Sequence, residues 1–105
     1  MIARLWHGWT VPENADRYEE LLREEIFPGI FAKNIRGLHG IELLRRAADD
    51  EVEFVTIMRF SSIDDVIAFV GEDYERSYVP AAAREVLKRF DERSVHYELR
   101  HGPRP

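Results

Sequence analysis

The chain has no cysteine, and that absence removes disulfides, thiolate metal sites and a cysteine nucleophile. It also fits a reducing compartment. There is no excess of basic charge. The net charge is -5, and a phosphate backbone needs a basic face, so nucleic acid is not an expected partner. The Arg45–Arg46 pair and the Arg100–Arg104 tail are too short to supply one. No apolar run approaches the length of a membrane helix, so no membrane partner is expected. The first residues, "MIARLWHGWTVPEN", lack the apolar core of a signal peptide, and the expected location is the cytoplasm. There is no phosphate-binding glycine loop, no His-x-x-x-His and no Gly-x-Ser-x-Gly setting for a serine nucleophile. No metal site is expected.

What is present suits one small folded domain. The 105 residues are 45% hydrophobic and 33% charged. Residues 1–100 read as that domain and 101–105, "HGPRP", as a frayed tail. A domain of this size stays marginal alone, so self-association is expected.

Residues 2–10 are rich in β-branched and aromatic types and run into Val11-Pro12, which reads as a strand closed by a proline. Pro12 opens a helix whose apolar face carries Tyr18, Leu21, Leu22 and Ile26. Pro28-Gly29 is expected to interrupt it, with end signals at Asn34 and Gly37. Residues 38–47 and 51–60 form a hairpin around Asp49-Asp50. In "SSIDDVIAFV", Ser62 caps a helix with Asp65 three residues on, and Gly71 ends it. The connector "EDYERSYVP" leads to a helix over "PAAAREVLKRF" and a last strand in "ERSVHYELR". The order β-α-β-β-α-β is the ferredoxin-like motif, an α+β fold with one antiparallel sheet and helices on one face.

Alternation sorts the strand residues into two faces. In the first strand Trp6 and Gly8 oppose His7 and Trp9. In the third strand both parities are apolar, so it is covered twice. Helices supply one cover. A second copy, sheet against sheet in a two-fold homodimer, supplies the other. Which parity meets the helices stays open, because one bulge exchanges the faces.

The stretches "EFVTIMRFSSIDDVIAF" and "VPAAAREVLKRFDERSVHYEL" resemble the third strand with second helix, and the closing helix with strand, of the antibiotic biosynthesis monooxygenase superfamily. The resemblance spans roughly residues 2–99. It implies a dimeric α+β barrel and, as a function, oxidation of an aromatic or quinol substrate with no metal, flavin or other cofactor. A non-catalytic dimeric small-molecule binder is the alternative. The haem-degrading branch carries an asparagine on the first strand and a tryptophan and a histidine around the second helix. The corresponding positions fall near Trp6, Phe69 and Tyr78, none of which matches, so haem binding ranks third.

Within that frame the candidate catalytic residues are His7, as the base for a phenolic proton, and Arg59, as the partner of the oxyanion. Trp6, Trp9, Tyr78 and His96 are the candidates for holding a small aromatic molecule. Alternation leaves two arrangements of "LWHGWT". Either His7 and Trp9 share a pocket between sheet and helices, or Trp6 faces a partner subunit, or both.

Overall fold

A computed structural model describes residues 1–102; of the expected tail, residues 103–105 lie outside the described residues. Strand β1 (Ile2–Thr10) is followed by a 3-10 turn (Pro12–Asn14), helix α1 (Ala15–Leu21), a π-helical turn (Leu22–Ile26) and helix α2 (Phe27–Phe31). Then come β2 (Leu38–Ala47), β3 (Val52–Phe60), α3 (Ile63–Val70), α4 (Ala81–Val86), β4 (Arg89–Phe90) and β5 (Val95–Glu98). The sheet is antiparallel in the order β2-β3-β1-β4, and β5 also pairs with β1. β4 and β5 are thus two pieces of one broken edge strand, and the layout is the expected ferredoxin-like one.

The face left open by alternation is settled by long-range packing. The even-numbered residues of β1 and β3 meet the helices. Phe54 packs edge-on against Tyr18 of α1, with ring centroids 4.9 Å apart. Ala15, Leu22, Val52 and Val86 close around that pair. Phe60, Met58, Ile30 and Val66 form a second buried group at the other end of the sheet. On β2 the register slips between Leu38 and Gly40. His39 is therefore the extra residue of a bulge, and Leu38, Ile41 and Leu43 all turn toward the helices. The opposite face carries Leu5, Val55 and Ile57, with Leu44 and Val95 each 50% and Tyr97 56% exposed.

Local chemistry explains most boundaries. Asp65 N–H donates to Ser62 Oγ, and Ser62 Oγ–H donates to Asp65 Oδ2, so the cap of α3 is reciprocal. Gly37 has φ +78°, and a Cβ there would lie 2.1 Å from Asp65 Oδ2; only glycine fits.

Two expectations are corrected. Pro28-Gly29 does not interrupt the first helix. Pro28 lacks an N–H and its ring crowds the preceding turn, and the helix absorbs this by widening into the π turn just before it, where Phe27 N–H reaches back to Leu22 O. The second correction concerns "PAAAREVLKRF", which is helical only to Val86. Beyond it the edge of β1 captures the chain: Lys88 N–H donates to Trp9 O and Asp91 N–H to His7 O. Leu87 takes an extended conformation, and Arg89–Phe90 becomes β4. Among the described residues, no helix is long and apolar enough to cross a membrane.

Candidate functional site

Between the sheet and the helices lies a cleft that opens at the connector after α3. Its floor is Arg4 and Trp6 of β1 with Thr56 and Met58 of β3. Its roof is helical: Tyr18, Leu22, Ile26, Phe27 and Ile30, the run that contains the π turn. Tyr78, Val79, Pro80, Ala83 and Ser94 complete the wall. π turns recur at functional sites because they displace a helix face by a fraction of a turn. Here the turn aims Leu22, Ile26 and Phe27 at the cleft. The enclosed cavity is small, about 50 Å³. The cleft is a slot, apolar and narrow.

Trp6 is held in that slot at both ends. Its indole N–H donates to Asp91 O at 2.7 Å. Its ring lies over Gly8, where a Cβ would approach Trp6 Cη2 to 2.7 Å and Leu87 Cδ2 to 3.0 Å. Gly8 is therefore a close-approach glycine for the tryptophan beside it. Tyr78 stands at the mouth, 40% exposed, its hydroxyl accepting from Lys33 Nζ at 3.1 Å. The same ammonium lies 4.9 Å from the Tyr78 ring centroid.

Arg4 is the cation of the slot. It is 3% exposed, in mid-strand. Its Nη1 donates to Tyr74 O and to His96 Nε2, the latter at 2.9 Å, and its Nη2 donates to Arg76 O at 3.0 Å. Burial alone pulls its pKa down to about 10, so it is charged at neutral pH. No carboxylate of the described residues forms an ion pair with it. Because a guanidinium only donates, His96 Nε2 must accept and the imidazole is neutral with its hydrogen on Nδ1. That Nδ1 is buried and has no hydrogen-bond partner among the described residues. Burial first, and the Arg4 charge second, hold the His96 pKa below its usual value, with Glu75 opposing. The ring sits edge-on to Tyr74, centroids 5.2 Å apart. Burial also pushes the Tyr18 phenol well above its usual range, so it stays a neutral donor in the roof.

The candidate residues divide between the two faces. Trp6 and Tyr78 line the cleft, and His96 stands behind Arg4. His7, Trp9 and Arg59 lie on the open face and do not reach the cleft. There His7 Nδ1 meets Glu53 Oε2 at 2.8 Å, and His7 and Trp9 stack with centroids 6.0 Å apart. Arg89 covers the Trp9 ring at 3.7 Å, and Arg59 pairs with Glu42 at 2.7 Å. The arrangement of "LWHGWT" is thus the reverse of the one that puts His7 and Trp9 under the helices. Arg4 is not among the candidates that the sequence suggests. The only signal for it is its parity, shared with Trp6 and Gly8 in the middle of a central strand. Among the described residues, no group of three or more His, Cys, Asp or Glu side chains is placed to hold a metal ion.

No family model matches the chain, and no curated protein matches it by sequence. Its fold does match a solved structure. A Bacillus cereus protein, provisionally assigned as an antibiotic biosynthesis monooxygenase, superposes with a TM-score of 0.67 over 99% of this chain and 97% of that one. The two are 14% identical, so the likeness establishes the fold.

Proposed function

We propose that the chain is a small oxygenase of the antibiotic biosynthesis monooxygenase kind, acting on a phenol or quinol held in the cleft between sheet and helices. The observation that carries the reading is the slot itself: aromatic walls from Trp6, Phe27 and Tyr78 around one buried cation, Arg4. In this reading Trp6 and Tyr78 hold the ring. Arg4 takes the oxyanion role that the sequence suggests for Arg59. Loss of the phenolic proton to water leaves a phenolate stabilised by Arg4. A ring carbon bearing hydrogen then bonds to dioxygen, the peroxide anion takes a proton back from water, and the hydroperoxide so formed loses water, its hydrogen coming from that carbon, to leave a quinone carbonyl. The apolar walls keep bulk water from the intermediate. No metal or organic cofactor is invoked.

A second reading, a binder without catalysis, is favoured by one feature: among the described residues, no imidazole or carboxylate lines the cleft to act as a base. The open face supports a homodimer in either case, since Leu44, Val95 and Tyr97 are half-exposed around an apolar centre. His7 and Trp9 then belong to the partner-facing surface. The lack of cysteine fits a cytoplasmic setting.

Oxygen uptake with 1-naphthol, read together with formation of 1,4-naphthoquinone, tests the oxygenase. Turnover that is lost in Trp6→Ala supports it. Binding of 1-naphthol with no oxygen uptake selects the second reading, and no binding removes both.

A further inference from the structure

We infer that the ligand of this cleft is an aromatic anion, and that its carboxylate or phenolate oxygen supplies the counter-charge Arg4 lacks. The inference rests on the reading of the cleft as a ligand site, and it names the ligand's charge.

A guanidinium withdrawn from water without a paired anion is destabilised, and proteins tolerate this where carbonyl dipoles or a bound anion compensate. Arg4 is 3% exposed, and what it touches is two carbonyl oxygens and a neutral imidazole. These satisfy three of its donors without cancelling its charge. Its Nε–H makes no hydrogen bond within the described residues, and Arg4 borders the cleft. Among the described residues the other polar groups lining the slot are the hydroxyls of Tyr18, Thr56, Tyr78 and Ser94 and the Trp6 indole N–H, and no carboxylate lines it to repel an incoming anion. At the mouth, Lys33 adds a second positive charge beside Tyr78. Although the chain as a whole is acidic, the charged side chains at the rim and the floor of this cleft, Lys33 and Arg4, are both cations, with Glu75 acting from behind His96.

His96 acts through Arg4. Its Nε2 holds Nη1 on the side away from the cleft, and the Tyr74 ring fixes the imidazole plane. It is a positioning residue: with Nη1 tied back, the guanidinium has one orientation in which to meet an oxyanion.

Calorimetric titration of the full chain at pH 7 tests this with 1-naphthoate, with 4-nitro-1-naphthol, whose nitro group makes it a phenolate at that pH, and with the neutral isostere 1-naphthalenemethanol. The expected result is that 1-naphthoate, or the nitronaphtholate, binds about tenfold or more tightly than the neutral alcohol. Preference in the first arm assigns a carboxylate, and preference confined to the second assigns a phenolate. In Arg4→Met the preference disappears while the neutral alcohol still binds. Arg4→Met removes the charge but also the donors to Tyr74 O, Arg76 O and His96 Nε2, so circular dichroism checks its fold, and Arg4→Gln, which keeps a donor without the charge, is expected to lose the preference in the same way. His96→Phe weakens the preference and His96→Gln, which keeps an acceptor, restores it; a merely structural role would move all three ligands together. Equal affinity for anion and alcohol, or a preference that survives in Arg4→Met, overturns the inference and leaves the cleft reading standing. If none of the three probes binds, the cleft reading itself falls.

Discussion

Gly8→Ala probes the packing of the cleft floor without touching a polar group. The added methyl carbon would sit 2.7 Å from Trp6 Cη2 and 3.0 Å from both Trp6 Cζ3 and Leu87 Cδ2. Contacts of that kind force a shift. The Trp6 ring cannot simply swing away, because its N–H is held by Asp91 O at 2.7 Å. Overpacking of this order costs about 1–3 kcal/mol. Replacing glycine by alanine at a backbone conformation alanine can adopt returns about 0.4–1 kcal/mol through the unfolded chain. The net expectation is a loss centred at about 1.3 kcal/mol, or a fall in Tm on the order of 5–10 °C for a domain of this size. Thermal unfolding followed by far-UV circular dichroism gives the stability. Tryptophan emission reports the displaced ring. The same displacement pushes Trp6 into a slot with little spare width, so affinity for 1-naphthol drops as well. A Gly8→Ala protein as stable as the parent, with unchanged emission, would refute the claim that glycine is required by the tryptophan lying over it.

Further tests bear on other parts of the molecule. Gly37→Ala places a methyl carbon 2.1 Å from Asp65 Oδ2 at φ +78°, so it should lose about 2 kcal/mol or more by urea unfolding. Phe54→Ala empties the centre of the larger core and should lose about 3–5 kcal/mol by the same measurement. The folded-state pKa of His96 lies below the ordinary value of about 6.5, so its contribution to stability is fully present above that value and is lost as pH falls through the folded pKa. Unfolding free energy measured from pH 7.5 downward should therefore fall less steeply in His96→Gln than in the parent. If the open face is a dimer seam as proposed, sedimentation should show the parent as a dimer and Leu44→Asp, which places a charge on that half-exposed face, as a monomer.

The elements legible in the sequence are those decided by local chemistry. The β2–β3 hairpin follows from two alternating runs around Asp49-Asp50, and the start of α3 from Ser62 and Asp65. The strand order follows from the βαββαβ succession. Distant partners decide the rest. β3 is apolar on both parities, so nothing in it says which face the helices take; the Phe54–Tyr18 contact decides. "VLKRF" carries a helical period, yet the unpaired edge of β1 offers Lys88 and Asp91 better-placed acceptors. Pro28-Gly29 has the composition of a breaker, and a widened turn upstream accommodates it. The site shows the same division. Trp6, Tyr78 and His96 are visible as chemistry-bearing types near the correct elements. Arg4 is not, because an arginine in a strand reads as a surface charge until the carbonyls of Tyr74 and Arg76 are seen to enclose it. His7 stands out for its pKa class and its neighbours, and the face it occupies cannot be fixed from the strand alone.

The central claim is that the ligand enters on the helix side of the sheet, against Trp6. The chain's two tryptophans make this directly readable, since Trp6 lies in the cleft and Trp9 on the opposite face. Each gives one indole N–H resonance in a nitrogen-15 correlation spectrum. Titration with 1-naphthol under anaerobic conditions should shift the Trp6 resonance and leave that of Trp9 in place. A shift of Trp9 with Trp6 unmoved would put the site on the open face, beside His7, and contradict the account.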